Sequence, residues 1–270
     1  MPDRDVVTGP APTPAGIAVL EHHADASWPA LETVAVRGWH LRHLERDHNT
    51  RPNSALPPLD PPPDGEQLAT DLAMVEEFYR ARDLPVAVQV VHGVTDDLAE
   101  LLAGRGYTFA VPSDVFTGEV AELAASGRAG EPRVRVDCPP TAEWLEDWRA
   151  VTAEDEERTA VLGRSLDLVA MPGLGVTVRV DGVPAAVGRG TTSGGLLGVF
   201  NCATAVEYRG RGLIGTVVRE IAAWGRSRGA ARSYLQVGAG NDAAKRAYRR
   251  AGYSPAYAYG YMRRDLPGAG

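Results

Sequence analysis

Apolar residues recur at helical spacing in two long stretches of the chain, and a short apolar run follows each. In 212–229, Leu213, Val217, Ile221 and Trp224 fall on one face of a predicted helix. The run ARSYLQV (231–237) carries Tyr234, Leu235 and Val237 and predicts a strand. Gly238 and Gly240 predict a turn, Asn241 or Asp242 a cap, and DAAKRAYRRAG a helix closing at Gly252. The alternating segment YSPAYAYGYMRR predicts one or two further strands. The order is helix, strand, helix, strand.

The first half has the same order. It predicts a helix over 65–84, a strand over 85–91, a helix over 95–106 and a strand pair over 107–120. The segments also align: FYRARDLPVAVQV (78–90) parallels WGRSRGAARSYLQV (224–237), and AGRGY ending at Tyr107 parallels RRAGY ending at Tyr253. A common offset over several elements predicts two copies of one unit. Chance likeness between helix–strand–helix units is the competing explanation. The shared Gln-Val strand ends and Gly-Tyr junctions weigh against it. The copies differ in one loop. Before its long helix the second copy has Arg209–Gly215; the first has SALPPLDPPPDGEQ (54–67). Asn241 and Tyr248 of the second copy face Thr95 and Leu102 in the first, so one copy reads as functional and the other as degenerate.

Composition narrows the class. The chain has 270 residues, 44% hydrophobic and 23% charged, as expected of a globular protein of one large or two ordinary domains. No stretch of about 18 uncharged apolar residues predicts a membrane span. The polar, Pro-rich start MPDRDVVTGPAPTP lacks the apolar core of a signal peptide and predicts a disordered arm over 1–14. Cys138 and Cys202 suit no metal or disulfide framework, so a reducing cytoplasm is the expected setting. Ala, Gly, Pro and Arg richness, with Lys245 the only lysine, suggests a GC-rich bacterial genome.

Charge is uneven under the net −7. Between 207 and 250, ten Arg/Lys stand against Glu207, Glu220 and Asp242. A basic island in an acidic chain points to one anionic ligand rather than to nucleic acid. Its core is VEYRGRGLIGTVV (206–218). Either this is a solvated basic loop, or an anion sits on it. The first turn of a helix has unpaired N–H groups and a partial positive charge. Gly210, Gly212 and Gly215 let backbone approach an anion closely. With the β-compatible VFNCAT (199–204) before it, the segment reads as a phosphate cradle. It is no P-loop, which ends in Gly-Lys-Ser/Thr, and no dinucleotide loop, which needs an acidic residue about 20 positions on.

Arg209-Gly210-Arg211-Gly212-Leu213-Ile214 resembles the acyl-CoA signature of the GNAT-type N-acetyltransferase superfamily, Gln/Arg-x-x-Gly-x-Gly/Ala. It departs at Ile214, with Gly215 next. Asn241, Tyr248 and Gly252-Tyr253 match a second motif of that superfamily. The match covers about 133–264, and the whole resembles tandem GNAT proteins. The resemblance implies an α/β (α+β) fold of two GNAT-like halves, each a mixed central sheet flanked by helices. It implies a degenerate GNAT-like domain over 15–125, a linker over 126–132 and a catalytic domain over 133–266. Within the latter it implies strands 133–137, 174–180, 183–191 and 195–204 and helices 141–151 and 154–168.

The resemblance also implies roles. Acetyl-CoA is the co-substrate. Backbone groups of Cys202, Ala203 and Thr204 pair with the pantetheine arm, and N–H groups of Arg211, Gly212, Leu213, Ile214 and Gly215, after Gly210, hold the pyrophosphate. Arg209 serves a phosphate edge or the loop itself. Asn241 bonds the cofactor arm or only caps its helix. Tyr248 protonates the leaving thiolate or is only a core aromatic. The base is open: GLLGVFNCAT has no acid and Glu207 lies in the loop, so a water-relayed proton path is expected. Tyr257, Tyr259 and Tyr261 share a strand face that either lines the acceptor site or packs. TRPNSALPP (50–58) takes the place of the degenerate copy's fourth strand. The expected acceptor is a small primary amine; a protein N-terminus or lysine, or no acceptor at all in a CoA-binding sensor, are the alternatives. Neither membrane nor nucleic acid is an expected partner, and a monomer or homodimer is.

Overall fold

A computed structural model describes residues 12–44, 50–63, 65–126 and 133–265. The expected arm and linker lie almost wholly outside these. Among the described residues eight α-helices and eleven strands follow in the order α1 (Pro14–Ser27), β1 (Glu32–Val36), β2 (Trp39–His43), β3 (Ala55–Leu56), α2 (Gly65–Arg80), β4 (Val86–Val91), α3 (Asp96–Gly104), β5 (Thr108–Glu119) and α4 (Val120–Ala125). The second half continues with β6 (Arg133–Asp137), α5 (Ala142–Thr152), α6 (Glu156–Asp167), β7 (Gly173–Val180), β8 (Val183–Ser193), β9 (Leu196–Thr204), α7 (Leu213–Ser227), β10 (Arg232–Gly238), α8 (Asp242–Ala251) and β11 (Ser254–Arg264). No helix among the described residues is long and apolar enough to cross a membrane.

The strands form one sheet, ordered β1-β2-β3-β4-β11-β5-β10-β9-β8-β7-β6. The order reads alike from the centre outward. On one side β11 pairs with β4, which runs parallel to β3; on the other β5 pairs with β10, which runs parallel to β9. The repeat is therefore visible as topology, and each half donates its last strand to the other. β5, from the first half, lies between β10 and β11 of the second.

The expected strand pair over 107–120 is one twelve-residue strand interrupted by a bulge. Val111 has φ 50°, and the ladder to β11 shifts between Tyr259 and Tyr261 there. β11 is likewise one strand. The first half's counterpart of β9 is only Ala55–Leu56, because prolines beyond it have no N–H for a ladder.

Helices α2, α3, α4, α7 and α8 cover one face; α1, α5 and α6 cover the other, as the grouping of buried side chains shows. In α7, Leu213, Val217, Ile221 and Gly225 form a buried stripe at i, i+4 spacing. Full burial of Val217 and Ile221 contributes about 2 kcal/mol each. Two glycines of β8 admit them. A Cβ on Gly188 would lie 2.5 Å from Val217, and one on Gly190 would lie 2.5 Å from Ile221. That close approach holds the start of α7 at the end of β9.

Candidate active site

Strands β9 and β10 separate. Their parallel ladder runs from Leu196↔Arg232 to Val199↔Leu235 and stops. Among the described residues no ladder pair joins 200–204 to 236–238, although β9 stays paired to β8 as far as Thr204 and β10 to β5 as far as Gly238. The facing backbone edges, including Cys202, Ala203 and Thr204, open a slot into the sheet.

A β-bulge shapes that slot. The β8–β9 register shifts between Val187 and Arg189, opposite Asn201, whose φ is 50°. Asn tolerates this left-handed conformation better than other residues with a Cβ. Phe200 and Asn201 consequently both face α1: Phe200 packs with the α1 cluster, and Asn201 Oδ1 accepts from Arg189 Nε at 2.6 Å. The Cys202 thiol then turns to the α7 face, where a Cβ on Gly188 would stand 2.9 Å from its sulfur.

The glycine–arginine segment lies where β9 leads into α7. A 3-10 turn, Val206–Tyr208, carries the exposed Glu207. Gly210 and Gly212 both have φ 79°, and Gly212 caps α7. A Cβ built on Gly210, Gly212 or Gly215 meets nothing within 4 Å, so the loop faces open space. Leu213 is buried and Ile214 packs against the same core, which leaves their backbone for a ligand. Arg209 and Arg211 are exposed. Arg209 Nε lies 3.4 Å from the Thr204 carbonyl, and Arg211 sits 5.0 Å over the Tyr208 ring. The arrangement suits an anion at the helix start.

Helix α8 brings the second motif to the slot. Asn241 caps it, its Oδ1 accepting from the Ala244 N–H at 3.1 Å. Lys245, Tyr248 and Ala251 form the buried side. Tyr248 is 8% exposed, and its hydroxyl lies beside the Cys202 thiol. Burial, then the adjacent thiol, pushes the Tyr248 hydroxyl well above its usual value. Burial likewise pushes the Cys202 thiol up to about 12, against the pull of Tyr248 and Arg189. Tyr248 is thus a core aromatic whose hydroxyl reaches the strand lining the slot.

On the α1 face, Glu21 is fully buried and accepts from Arg51 (2.6 Å), Gln89 (2.8 Å), Tyr257 (2.7 Å) and Gln236 (3.3 Å). Gln236 is the first residue of β10 past the ladder. Tyr259 and Tyr261 are buried against α1, and Tyr257 is half-buried beside the slot. Residues legible in the sequence therefore gather at the slot and loop. Asn201, Arg189, Gln236 and Glu21 join them unforeseen; the only local signal was one Asn inside an apolar strand.

Two strands that part beyond a bulge, with a glycine loop and helix start at the opening, define a GNAT-type N-acetyltransferase, a class that uses acetyl-CoA. The chain belongs to the family described as "Probable histone acetyltransferase Rv0428c C-terminal", whose model matches residues 14–262. It is 26% identical over 249 residues to the "Uncharacterized N-acetyltransferase YobR" of Bacillus subtilis (strain 168), covering 88% of this chain and 95% of that protein. Among solved structures, a GCN5-related N-acetyltransferase from Kribbella flavida superposes with a TM-score of 0.67 at 21% identity, covering 97% of both chains. A tandem GNAT protein from the clavulanic acid biosynthesis pathway superposes with a TM-score of 0.58 at 14% identity, over 75% of this chain and 70% of that one. These two share the fold.

Proposed function

We propose that the chain transfers an acetyl group from acetyl-CoA to a primary amine of a small molecule, by direct attack in a ternary complex. The observation that carries this reading is the opening of β9 from β10 beside the glycine loop. The free edge of 202–204 suits the amide groups of a pantetheine arm, and the N–H groups of 211–214 suit its pyrophosphate; the Gly215 N–H, expected to join them, donates instead to the Gly212 carbonyl at 2.9 Å. In the reaction the amine nitrogen bonds to the thioester carbon and the C–S bond breaks. Tyr248 supplies a proton to the departing thiolate, and the amine's proton leaves through water. Asn241 holds the arm while capping α8, and Arg209 borders the phosphates.

The roof that α1 sets over the slot supports a small acceptor: Ala24 and Ser27 are fully buried there. The family description favours a second reading, a protein lysine acceptor. The N-terminal half is read as degenerate. Leu56 and Leu59 are buried against Val91 and Tyr261 where that half's own slot would open.

Calorimetry with CoA, followed by thiol release from acetyl-CoA across amino acids, polyamines, aminoglycosides and a lysine-containing peptide, tests all of this. One equivalent of CoA and turnover on a small amine are expected. Turnover on the peptide alone selects the second reading. Two equivalents of CoA would overturn the degenerate half, and no thiol release with any amine would leave a sensor.

A further inference from the structure

Three arginines among the described residues are buried: Arg42, Arg51 and Arg189. Two have carboxylates. Arg42 lies 2.7 Å from Asp25 and Arg51 lies 2.6 Å from Glu21. Arg189, 1% exposed, has none within ion-pair distance among the described residues. Its Nε donates to Asn201 Oδ1 at 2.6 Å, its Nη2 donates to the Ser27 carbonyl at 2.9 Å, and its guanidinium lies 4.7 Å over the Phe200 ring. Burying a charge without a counter-ion is among the most destabilising arrangements a fold can hold. Burial draws its pKa down to about 10, so it remains a cation at neutral pH. A neutral side chain would fill this space at lower cost, unless the charge has a use.

The partners of Arg189 cluster around the slot and its roof. Asn201 and Phe200 are the bulge, Ser27 ends α1, and the charge is felt by the Tyr234 hydroxyl of β10 and by the Cys202 thiol across the strand. Arg189 is also the registered partner of Phe200 on β8.

We propose that Arg189 is a positioning and electrostatic residue for acyl transfer. It ties the left-handed Asn201 bulge to α1, and it sets a fixed positive charge behind the segment against which the thioester carbonyl oxygen gains negative charge. This rests on the reading that acetyl-CoA enters the slot. A preorganised charge in a water-poor site acts more strongly on such an oxygen than solvent does. The device also links the halves, because the carbonyl that fixes the guanidinium comes from Ser27 of α1.

The test is infrared difference spectroscopy of full-length protein with acetyl-CoA carrying ¹³C at the thioester carbonyl, alongside single-turnover thiol release and acetyl-CoA affinity. The carbonyl band should move to lower frequency on binding to wild type. In Arg189→Met most of that shift should vanish and turnover should fall roughly 10²-fold, with affinity within about twofold. Should Arg189→Met fail to fold, Arg189→Lys carries the test. Its ammonium cannot span both Asn201 and Ser27, so a smaller band shift and slower turnover are expected. A band and turnover unchanged in the folded variant would overturn this proposal alone. Failure of wild type to bind acetyl-CoA would overturn the functional reading as well.

Discussion

Lys245, the only lysine in the chain, sets its ammonium 2.8 Å from the carboxylate of Asp114, 131 residues earlier. The pair joins α8 to β5 and hence the two halves. The Ala239 N–H adds a second tie to β5, donating to the Pro112 carbonyl at 2.9 Å beside the strained Val111. Lys245→Met and Asp114→Asn should each lower stability by about 2 kcal/mol, the range for a hydrogen bond to a charged group. In a double-mutant cycle read by urea unfolding, the two losses should be non-additive by 1 kcal/mol or more. Losses that simply add would show two independent side chains.

The contact between Tyr248 and Cys202 predicts two chemical results. Tyr248→Phe removes one oxygen and keeps the ring against Tyr253, so acetyl-CoA affinity and melting temperature should hold while single-turnover transfer drops roughly 10²-fold. Near-normal chemistry in that variant would assign the proton to water. The thiol itself should be inert. With its pKa near 12, about one Cys202 in 10⁴ is thiolate at pH 8. Iodoacetamide on the folded protein should label the exposed Cys138 and stop at one equivalent by mass spectrometry. A second equivalent would contradict the raised pKa of Cys202.

The repeat, its helix–strand order and the two motifs were legible because each rests on local signals: apolar periodicity, glycine punctuation and fixed spacing along one helix. The exchange of β5 and β11 was not. The apolar runs at 86–91 and 232–238 are interchangeable in pattern, and only packing of the whole sheet decides which edge receives which strand. Helix α1 carries no clean sequence signal because Glu21 and His23, both buried, interrupt its apolar face; their partners come from four other segments. The Asn201 bulge depends on the register with β8, which no window of sequence contains.

Two glycines of the loop should respond differently to substitution. Gly215 sits in the first turn of α7 with open space around it, so Gly215→Ala should stabilise the free protein by up to about 1 kcal/mol. Its methyl would project at the phosphate face, so CoA affinity should weaken. Gly212 has φ 79°, so Gly212→Ala should cost stability through backbone strain, and Gly212→Glu should also abolish CoA binding through charge. Thermal unfolding with and without CoA separates the effects. CoA binding that survives Gly212→Glu would remove the loop from the pyrophosphate site.

His23 should set the acid limb of stability. It is buried on α1, its Nδ1 2.7 Å from the Tyr234 hydroxyl and 3.3 Å from Ser27 Oγ, with Nε2 unpartnered. Burial lowers its pKa from 6.5 to about 4, so the folded protein keeps it neutral where the unfolded chain takes up a proton. Between those values the unfolded state binds more protons, and stability must fall as pH falls through the window. The contribution is complete above about pH 6.5, and the loss by pH 4 is on the order of 2–3 kcal/mol. Asp25 acts lower. Burial alone would raise its carboxyl, but Arg42 and His40 hold it well below the usual carboxylate range, so its contribution persists until pH falls beneath the His23 window. His23→Gln keeps a polar partner for Tyr234 and has nothing to titrate. Urea unfolding of both proteins between pH 7 and pH 4 should give a shallower slope for the variant, the stability difference moving in the variant's favour by about 2–3 kcal/mol at the acid end. Parallel curves would show that the acid sensitivity resides elsewhere.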